Sequence, residues 1–295
     1  MDRFGTVAIV GVGLIGGSIG LALRARGSTG RVVGVGRDAS RLDKARRLGA
    51  IDEATTDPDE AASIADVVVV CTPVDRVACD ILRAARAGPE SVLITDAGST
   101  KRAIVEAAEA DESARAKFVA AHPIAGSERS GAAHARADLF EGRICVLTPT
   151  DRTPPDRLDR ARAFWSMLGC KTVDLDPTTH DAHLARTSHL PHAVAAALAS
   201  LVGPDLVPLA AGAYRDGTRV AGADAALWAP IFLENRRAVL DALDAFDRSL
   251  ASFRAALESG NDQMIRAWWD AARGNRLAFD AQNESGGVAS PGQGR

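Results

Sequence analysis

A chain of 295 residues, 46% of them apolar, is long enough to fold around one large core or two. A formal net charge of −3 gives no basis for a nucleic-acid or membrane-surface partner, and the arginines are scattered along helical patterns where solvated faces account for them. No apolar run approaches the ~20 residues of a membrane span, the amino terminus enters a strand too soon for a signal peptide, and the four cysteines lack C-x-x-C spacing, so a reduced, cytoplasmic protein is expected.

Thr6-Val-Ala-Ile-Val10 is rich in β-branched residues and predicts a buried parallel strand. Gly11, Gly13 and Gly16 follow as G-x-G-x-x-G, and an apolar helical pattern starts at once with Leu14, Ile15, Ile19 and Leu23. In such a unit the first glycine permits a tight turn and the second lets the backbone approach a pyrophosphate. The third lets helix and strand pack closely, and the free N–H groups at the helix start hold phosphate charge. A glycine turn without a ligand and an S-adenosylmethionine site share parts of this pattern. Its place between the first strand and the first helix makes a dinucleotide the expected ligand, with Gly11, Gly13, Leu14, Ile15 and Gly16 in contact.

Strand and helix then alternate as a doubly wound, mostly parallel sheet requires. Strands are predicted at Arg31 to Val35, Asp66 to Cys71, Ser91 to Ala97, Lys117 to Ala121, Ile144 to Leu147 and Thr172 to Leu175. A helix from Ala39 to Leu48 should close on Gly49 as its C′ residue, and Asp57-Pro58 reads as an N-cap with proline at the first helical position. Thr72 and Pro73 end a strand where the sheet's carboxyl edge should face the cofactor. Residues 1–176 are expected to form the dinucleotide domain. From Asp176-Pro177 onward the pattern is helical throughout, which predicts an all-α domain over 177–284, and 285–295, with four glycines and a proline, predicts a disordered tail.

The adenine ribose should be read about twenty residues past the glycines, where an acidic residue marks NAD. Here the chain has Val35-Gly36-Arg37-Asp38. Gly36 at the acidic position leaves room for a 2′-phosphate, and the Arg37 guanidinium can pair with it, which favours NADP. With Asp38 as the ribose acid the cofactor is NAD; with Asp38 as a helix N-cap it is neutral on the point.

His122 stands at the end of a predicted strand, at the sheet edge where a nicotinamide would lie, and Pro123-Ile-Ala-Gly-Ser-Glu-Arg-Ser-Gly131 follows. An imidazole titrating near neutrality suits removal of a hydroxyl proton, although a lone histidine at a strand end is often structural. Ser99 in Gly98-Ser-Thr-Lys101 is expected beside it, and Ser127 and Glu128 are candidates for substrate contact. Four of the six histidines lie between His180 and His192. His189 and His192 share a helix face, but Pro191 sits between them and no carboxylate has ligand spacing there, so no metal is expected. Pro191 should free a carbonyl or kink the helix. His180-Asp181 reads as capping and domain docking. Arg219, in a glycine-flanked stretch, is a surface residue or a carboxylate clamp.

Taken together, G-V-G-L-I-G-G-S, D-A-G-S-T-K, H-P-I-A-G-S-E-R-S-G, H-D-(x)7-H-L-P-H, Tyr214-Arg-Asp-Gly-Thr-Arg219 and Trp228-(x)5-Glu234-Asn235 resemble the prephenate/arogenate dehydrogenase family of tyrosine biosynthesis. The resemblance runs from Thr6 to about Asn283. It implies a Rossmann domain, a helical domain that forms a homodimer and holds substrate, and oxidative decarboxylation of prephenate or arogenate with NADP or NAD. No fused mutase or regulatory domain is expected. His122 matches the family's catalytic histidine and Ser99 the serine that orients it or the substrate hydroxyl. Arg219 matches the arginine that holds a substrate carboxylate, and His189 and His192 match a pocket-lining motif. Gly36-Arg37 departs from the acid that many members carry. Hydroxyacid dehydrogenases or imine reductases of similar build would show a lysine in the second domain, and this chain has none beyond Lys171. A dinucleotide-sensing binding protein would need neither His122 nor Arg219.

Overall fold

In the computed structural model, which describes residues 4–127 and 129–285, six parallel strands form one sheet in the order β3-β2-β1-β4-β5-β6. They are β1 (Phe4–Val10), β2 (Thr29–Val35), β3 (Glu53–Thr55), β4 (Val67–Val70), β5 (Leu93–Asp96) and β6 (Phe118–Val119). This is the strand order of a dinucleotide-binding sheet, and its topological switch lies between β1 and β4. Helices α1 (Leu14–Ala25), α2 (Ala39–Arg47), α3 (Pro58–Ser63), α4 (Val74–Ala87), α5 (Arg102–Ala110) and α6 (Glu112–Lys117) connect the strands.

The alternation of side chains sorts the core onto two faces. Val7, Ile9, Val67, Val69 and Leu93 join Ile19 and Leu23 of α1 on one face. Ala8, Val10, Val68, Val70 and Ile94 join Val77 and Ile81 of α4 on the other. Every residue of β4 is fully buried, and a buried valine stabilises the fold by roughly 1.5–3 kcal/mol. The expected caps are present: Asp57 accepts from Asp59 N with Pro58 in the first turn, and Gly49 adopts φ +75° beyond α2.

One strand is not read from the sequence, and one expectation is corrected. The short, polar β3 carries no alternation to announce it and is held by its pairing with β2. The single strand expected over Lys117 to Ala121 divides, because after β6 the chain leaves the main sheet. A second sheet begins there, made of β7 (Ala121–Pro123), β8 (Ile144–Leu147) and β9 (Lys171–Asp174). β7 runs antiparallel to β8, and β8 parallel to β9. The main sheet is therefore entirely parallel. Helix α7 (Pro155–Met167) places Phe164 and Trp165, both fully buried, in the core beneath β1 and β5.

Among the described residues no strand follows Asp174. Helices α8 (Pro177–Leu184) and α9 (Leu190–Ser200) are joined by a π-helical turn, Ala185–His189, and α10 (Gly212–Thr218), α11 (Ala225–Glu234), α12 (Arg236–Glu258) and α13 (Asp262–Ser285) complete the described residues. The described residues divide into two compact units at Val239/Leu240. Residues 177–239 thus pack with the dinucleotide-binding part, through contacts described below. In the second unit Phe253 stacks on Trp268 with ring centroids 4.7 Å apart. The tail expected over 285–295 lies, beyond Ser285, outside the described residues.

Candidate active site

The carboxyl ends of β1, β2 and β4 converge on the glycine loop. Gly11 N donates to Val35 O and Cys71 N to Val10 O, at 2.9 and 2.7 Å. Gly11 has φ +95°, and a Cβ there would lie 2.8 Å from Cys71 O; a Cβ on Gly16 would lie 2.2 Å from Gly11 O. These two positions therefore exclude any side chain for reasons internal to the fold. Gly13 differs: a Cβ there would meet nothing within 4 Å. Asp38, Asp57, Asp111 and Asp176 cap the helices that follow them, whereas α1 has no side-chain cap and no acid in its first turn. Open space at Gly13 and an uncapped helix start fit a pyrophosphate. Thr72 N lies beside Gly11, and the Thr72 hydroxyl donates to Asp80 at 2.7 Å. Leu14 and Ile15 are half-buried in the first turn of α1.

At the end of β2, Arg37 is exposed and Asp38 is the N-cap of α2. Asp38 Oδ1 accepts from Ser40 N at 2.9 Å, Ser40 Oγ at 2.6 Å and Arg41 N at 3.3 Å. A Cβ on Gly36 would meet the flexible end of Leu42 at 3.2 Å.

His122 sits on β7, and its Nδ1 lies 2.9 Å from His180 Nε2. His180 Nδ1 in turn lies 2.8 Å from Asp181 Oδ1. Asp181 also accepts from Lys101 N at 2.8 Å and Arg102 N at 3.0 Å, so its carboxylate seats the start of α5 against α8. Burial alone would raise this carboxyl, but bonds from His180, Arg102 and Lys101 outweigh it and leave it below the ordinary value. Burial, and then the His180, Lys101 and His189 side chains, hold His122 well below the usual imidazole range. Burial likewise lowers His180 and takes His189 down to about 4. All three are neutral bases at neutral pH.

The tautomers follow from the partners. A carboxylate only accepts, so His180 Nδ1 donates to Asp181, and His180 Nε2 must accept from His122 Nδ1. The lone pair of His122 is thereby placed on Nε2. Asn235 Nδ2, nearly fully buried, donates both to Asp181 O at 2.8 Å and to His189 Nδ1 at 3.1 Å. His192 Nδ1 donates to Ser188 O at 2.8 Å, and its ring stacks on Trp228 with centroids 3.7 Å apart. The π turn just before Pro191 rewinds the helix where proline has no N–H to give, which is the local disturbance expected there. Arg219 is exposed at the surface, close enough for its charge to help depress His192.

The structure therefore brings His122, His189, His192 and Arg219 toward one region and adds members the sequence reading had assigned elsewhere. His180-Asp181 docks α8 on α5 as expected, but His180 is also the ring partner of His122. Asn235 and Trp228 enter the sequence reading only as parts of a motif, with no role of their own. Ser99 is half-buried in the loop between β5 and α5. Ser127 is exposed, and its hydroxyl accepts from Arg129 N at 3.2 Å. Glu128 lies outside the described residues.

Comparison with known families matches residues 19–174 to the nucleotide-binding domain of prephenate dehydrogenase and residues 176–270 to its dimerization domain. The prephenate dehydrogenase of Bacillus subtilis is 33% identical over 92% of this chain and 75% of its own length. The structure of Aquifex aeolicus prephenate dehydrogenase in complex with hydroxyphenyl propionate and NAD+ is 32% identical, covers 93% of this chain and 98% of its own, and superposes with a TM-score of 0.88. Synechocystis arogenate dehydrogenase is 29% identical over 93% of this chain and 99% of its own, with a TM-score of 0.78.

Proposed function

The chain belongs to the prephenate dehydrogenase family, and from that premise we propose that it oxidatively decarboxylates prephenate, with His122 as the base and NAD(P)+ as cofactor. The observation that carries the catalytic assignment is the hydrogen-bonded chain from buried Asp181 and His180 to half-buried His122, which leaves one unprotonated ring nitrogen on a neutral imidazole. When bound, the dinucleotide supplies the hydride acceptor for the ring carbon that carries the hydroxyl. Gly11, Gly13, Gly16 and the start of α1 would hold its pyrophosphate, with Leu14, Ile15, Thr72 and Pro73 around it. His122 Nε2 takes the hydroxyl proton, and loss of the ring carboxylate as CO2 leaves an aromatic product. His180 and Asp181 hold the ring in the required tautomer and stabilise the imidazolium that forms, as the acid does in a serine–histidine–aspartate triad. Ser99 orients the hydroxyl or His122 in this reading. In the same reading residues 1–176 carry the dinucleotide and 177–284 the substrate and the dimer contacts.

Arg219 is assigned to a substrate carboxylate, beside His189, His192 and Trp228. Because Arg219 is exposed, the lower part of the usual range for a charged contact applies. Arg219→Ala is expected to raise the prephenate KM by roughly thirtyfold, about 2 kcal/mol, with little change in kcat. An unchanged KM would return Arg219 to a surface role.

The cofactor preference is assigned to NADP. Asp38 is committed to capping α2, Gly36 offers no acid, and Arg37 is exposed beside it. One charge-assisted contact corresponds to about ten- to a hundredfold in affinity, reduced by solvent screening. Wild type is expected to favour NADP in kcat/KM with NAD still used, and Gly36→Asp with Arg37→Ile to reverse the order. A wild type favouring NAD, with NADP binding unaffected by Arg37→Ala, would make Asp38 the ribose ligand.

A homodimer built through the helical segment is consistent with the dimerization-domain match and with the exposed Leu250, Leu257, Trp269, Leu277 and Phe279. The four unpaired cysteines suit a cytoplasmic setting. Among the described residues no helix is long and apolar enough to cross a membrane. The likeness to an arogenate dehydrogenase supports a second reading, in which arogenate is the substrate. Steady-state assays of the purified protein with each substrate and each cofactor test both readings. Turnover of prephenate with CO2 release supports the first, turnover of arogenate alone the second, and turnover of neither opposes both.

A further inference from the structure

Resting on the reading of His122 as the base, we propose that Lys101 is a positioning residue that fixes this histidine from two sides at once. Its side chain holds the backbone next to His122, and its own backbone N–H anchors the support of the imidazole ring.

The side-chain arm starts from an ion pair between Lys101 Nζ and Asp96 Oδ2 in which both side chains are fully buried. Lys101 Nζ also donates to Ala121 O at 2.8 Å, and Asp96 Oδ1 accepts from Ala121 N at 3.0 Å. Both backbone polar groups of the residue before His122 therefore end on the pair. The strand pattern explains why they need it. In the antiparallel β7–β8 pairing, Thr148 N bonds Ala120 O and Ile124 N bonds Ile144 O. Alternation along the ladder then turns the N–H and C=O of Ala121 away from β8. On that other side β7 has already left the parallel sheet, and the ion pair stands where a neighbouring strand would have been. Gly98 N on Asp96 Oδ2, at 2.9 Å, completes the acceptor's partners.

The backbone arm runs from Lys101 N to Asp181 Oδ1, from the same oxygen to His180 Nδ1, and from His180 Nε2 to His122 Nδ1, at 2.8, 2.8 and 2.9 Å. The two arms leave one residue and close around His122, 21 positions later in sequence, at the main chain of the residue before it and at its ring. A buried ion pair is a poor device for stability alone, since well-packed apolar residues in its place are often neutral or stabilising. Its placement around Ala121 points to geometry. The charged and titratable groups facing His122 are Lys101 and Asp96 from the β5–α5 segment, His180 and Asp181 from α8, and His189 from the π turn.

The test compares full-length wild type with Lys101→Met and with Asp96→Asn/Lys101→Met, the second variant removing the carboxylate that the first leaves unpaired in the core. A displacement of the order of 1 Å is worth about 10²-fold in rate, so both variants are expected to lose about that much kcat while the prephenate KM and the dinucleotide Kd stay within about threefold. In Lys101→Met, removal of a cation beside the imidazole is expected to move the acid limb of kcat/KM to higher pH. In the double variant both charges are gone, and the limb should return toward its wild-type position without recovery of kcat. A folded variant with kcat within about threefold of wild type, or a limb that stays in place in Lys101→Met, would overturn the inference and leave the functional reading intact. A wild type that does not oxidise prephenate would overturn both.

Discussion

His122→Asn is expected to lower kcat by about 10²- to 10⁴-fold, the range associated with a positioned general base, while dinucleotide affinity is unchanged. Asparagine is close to histidine in its inner atoms, and its amide N–H can still donate to His180 Nε2. What it lacks is a nitrogen of imidazole basicity aimed outward. The glycine loop and the start of α1 do not depend on His122, so binding of the dinucleotide, followed by fluorescence titration, separates loss of chemistry from loss of fold. A variant that keeps kcat within about tenfold of wild type would remove His122 from the proton transfer.

Asp181→Asn is expected to have the next largest effect, and to act on two properties together. The wild-type carboxylate accepts from His180 Nδ1, Lys101 N and Arg102 N. An amide replaces one of its oxygens with a donor, which faces Arg102 N if it takes the place of Oδ2, or both Lys101 N and the His180 ring if it takes the place of Oδ1. In either case a backbone N–H is left without an acceptor, at a cost of about 1–3 kcal/mol. In the second His180 changes tautomer, and with it His122 loses the lone pair on Nε2. By analogy with the corresponding change in a serine–histidine–aspartate triad, kcat should fall by about 10²-fold or more.

The stability effect has a defined pH dependence. The Asp181 carboxyl lies below its ordinary value of 3.8 in the folded chain. It therefore contributes stability that is fully present above that value and lost as pH falls through the lower, folded one. Urea unfolding of wild type and variant should show a gap at neutral pH that narrows as the pH is taken below about 4. A gap that is constant with pH would show that the carboxylate's charge is not what the fold uses.

How far the chain can be read before its structure is seen depends on the range of each constraint. Gly11 and Gly16 are legible because their reasons are local: a positive φ and the approach of α1 to β1 admit no side chain. Asp57 and Gly49 announce helix ends for equally local reasons. The departure of β7 from the main sheet is not legible, since Lys117 to Ala121 is one apolar run and sheet membership is decided by partners far along the chain. Lys101 shows the same limit more sharply. A lysine after Ser-Thr at a helix start reads as solvated, and only the fold reveals that it is fully buried against Asp96 and Ala121. His180-Asp181 was half legible: its docking role is written in its position near a helix start, whereas its bond to His122 joins residues 58 apart. Pro191 gave a disturbance but not its form, because a kink and a π turn answer the missing N–H equally well.

The measurement that bears most directly on the central claim is the pH dependence of kcat/KM for prephenate in the wild-type protein, which reports the free enzyme's essential base. A base that must be neutral, held low by burial, by the His180 and His189 imidazoles and by the Lys101 cation, should give full activity at neutral pH and an acid limb below the ordinary imidazole value of 6.5. The same limb should shift in Asp181→Asn and be absent from the residual activity of His122→Asn. A limb at or above 6.5, or one that persists unchanged in His122→Asn, would contradict the assignment of His122 as the neutral base.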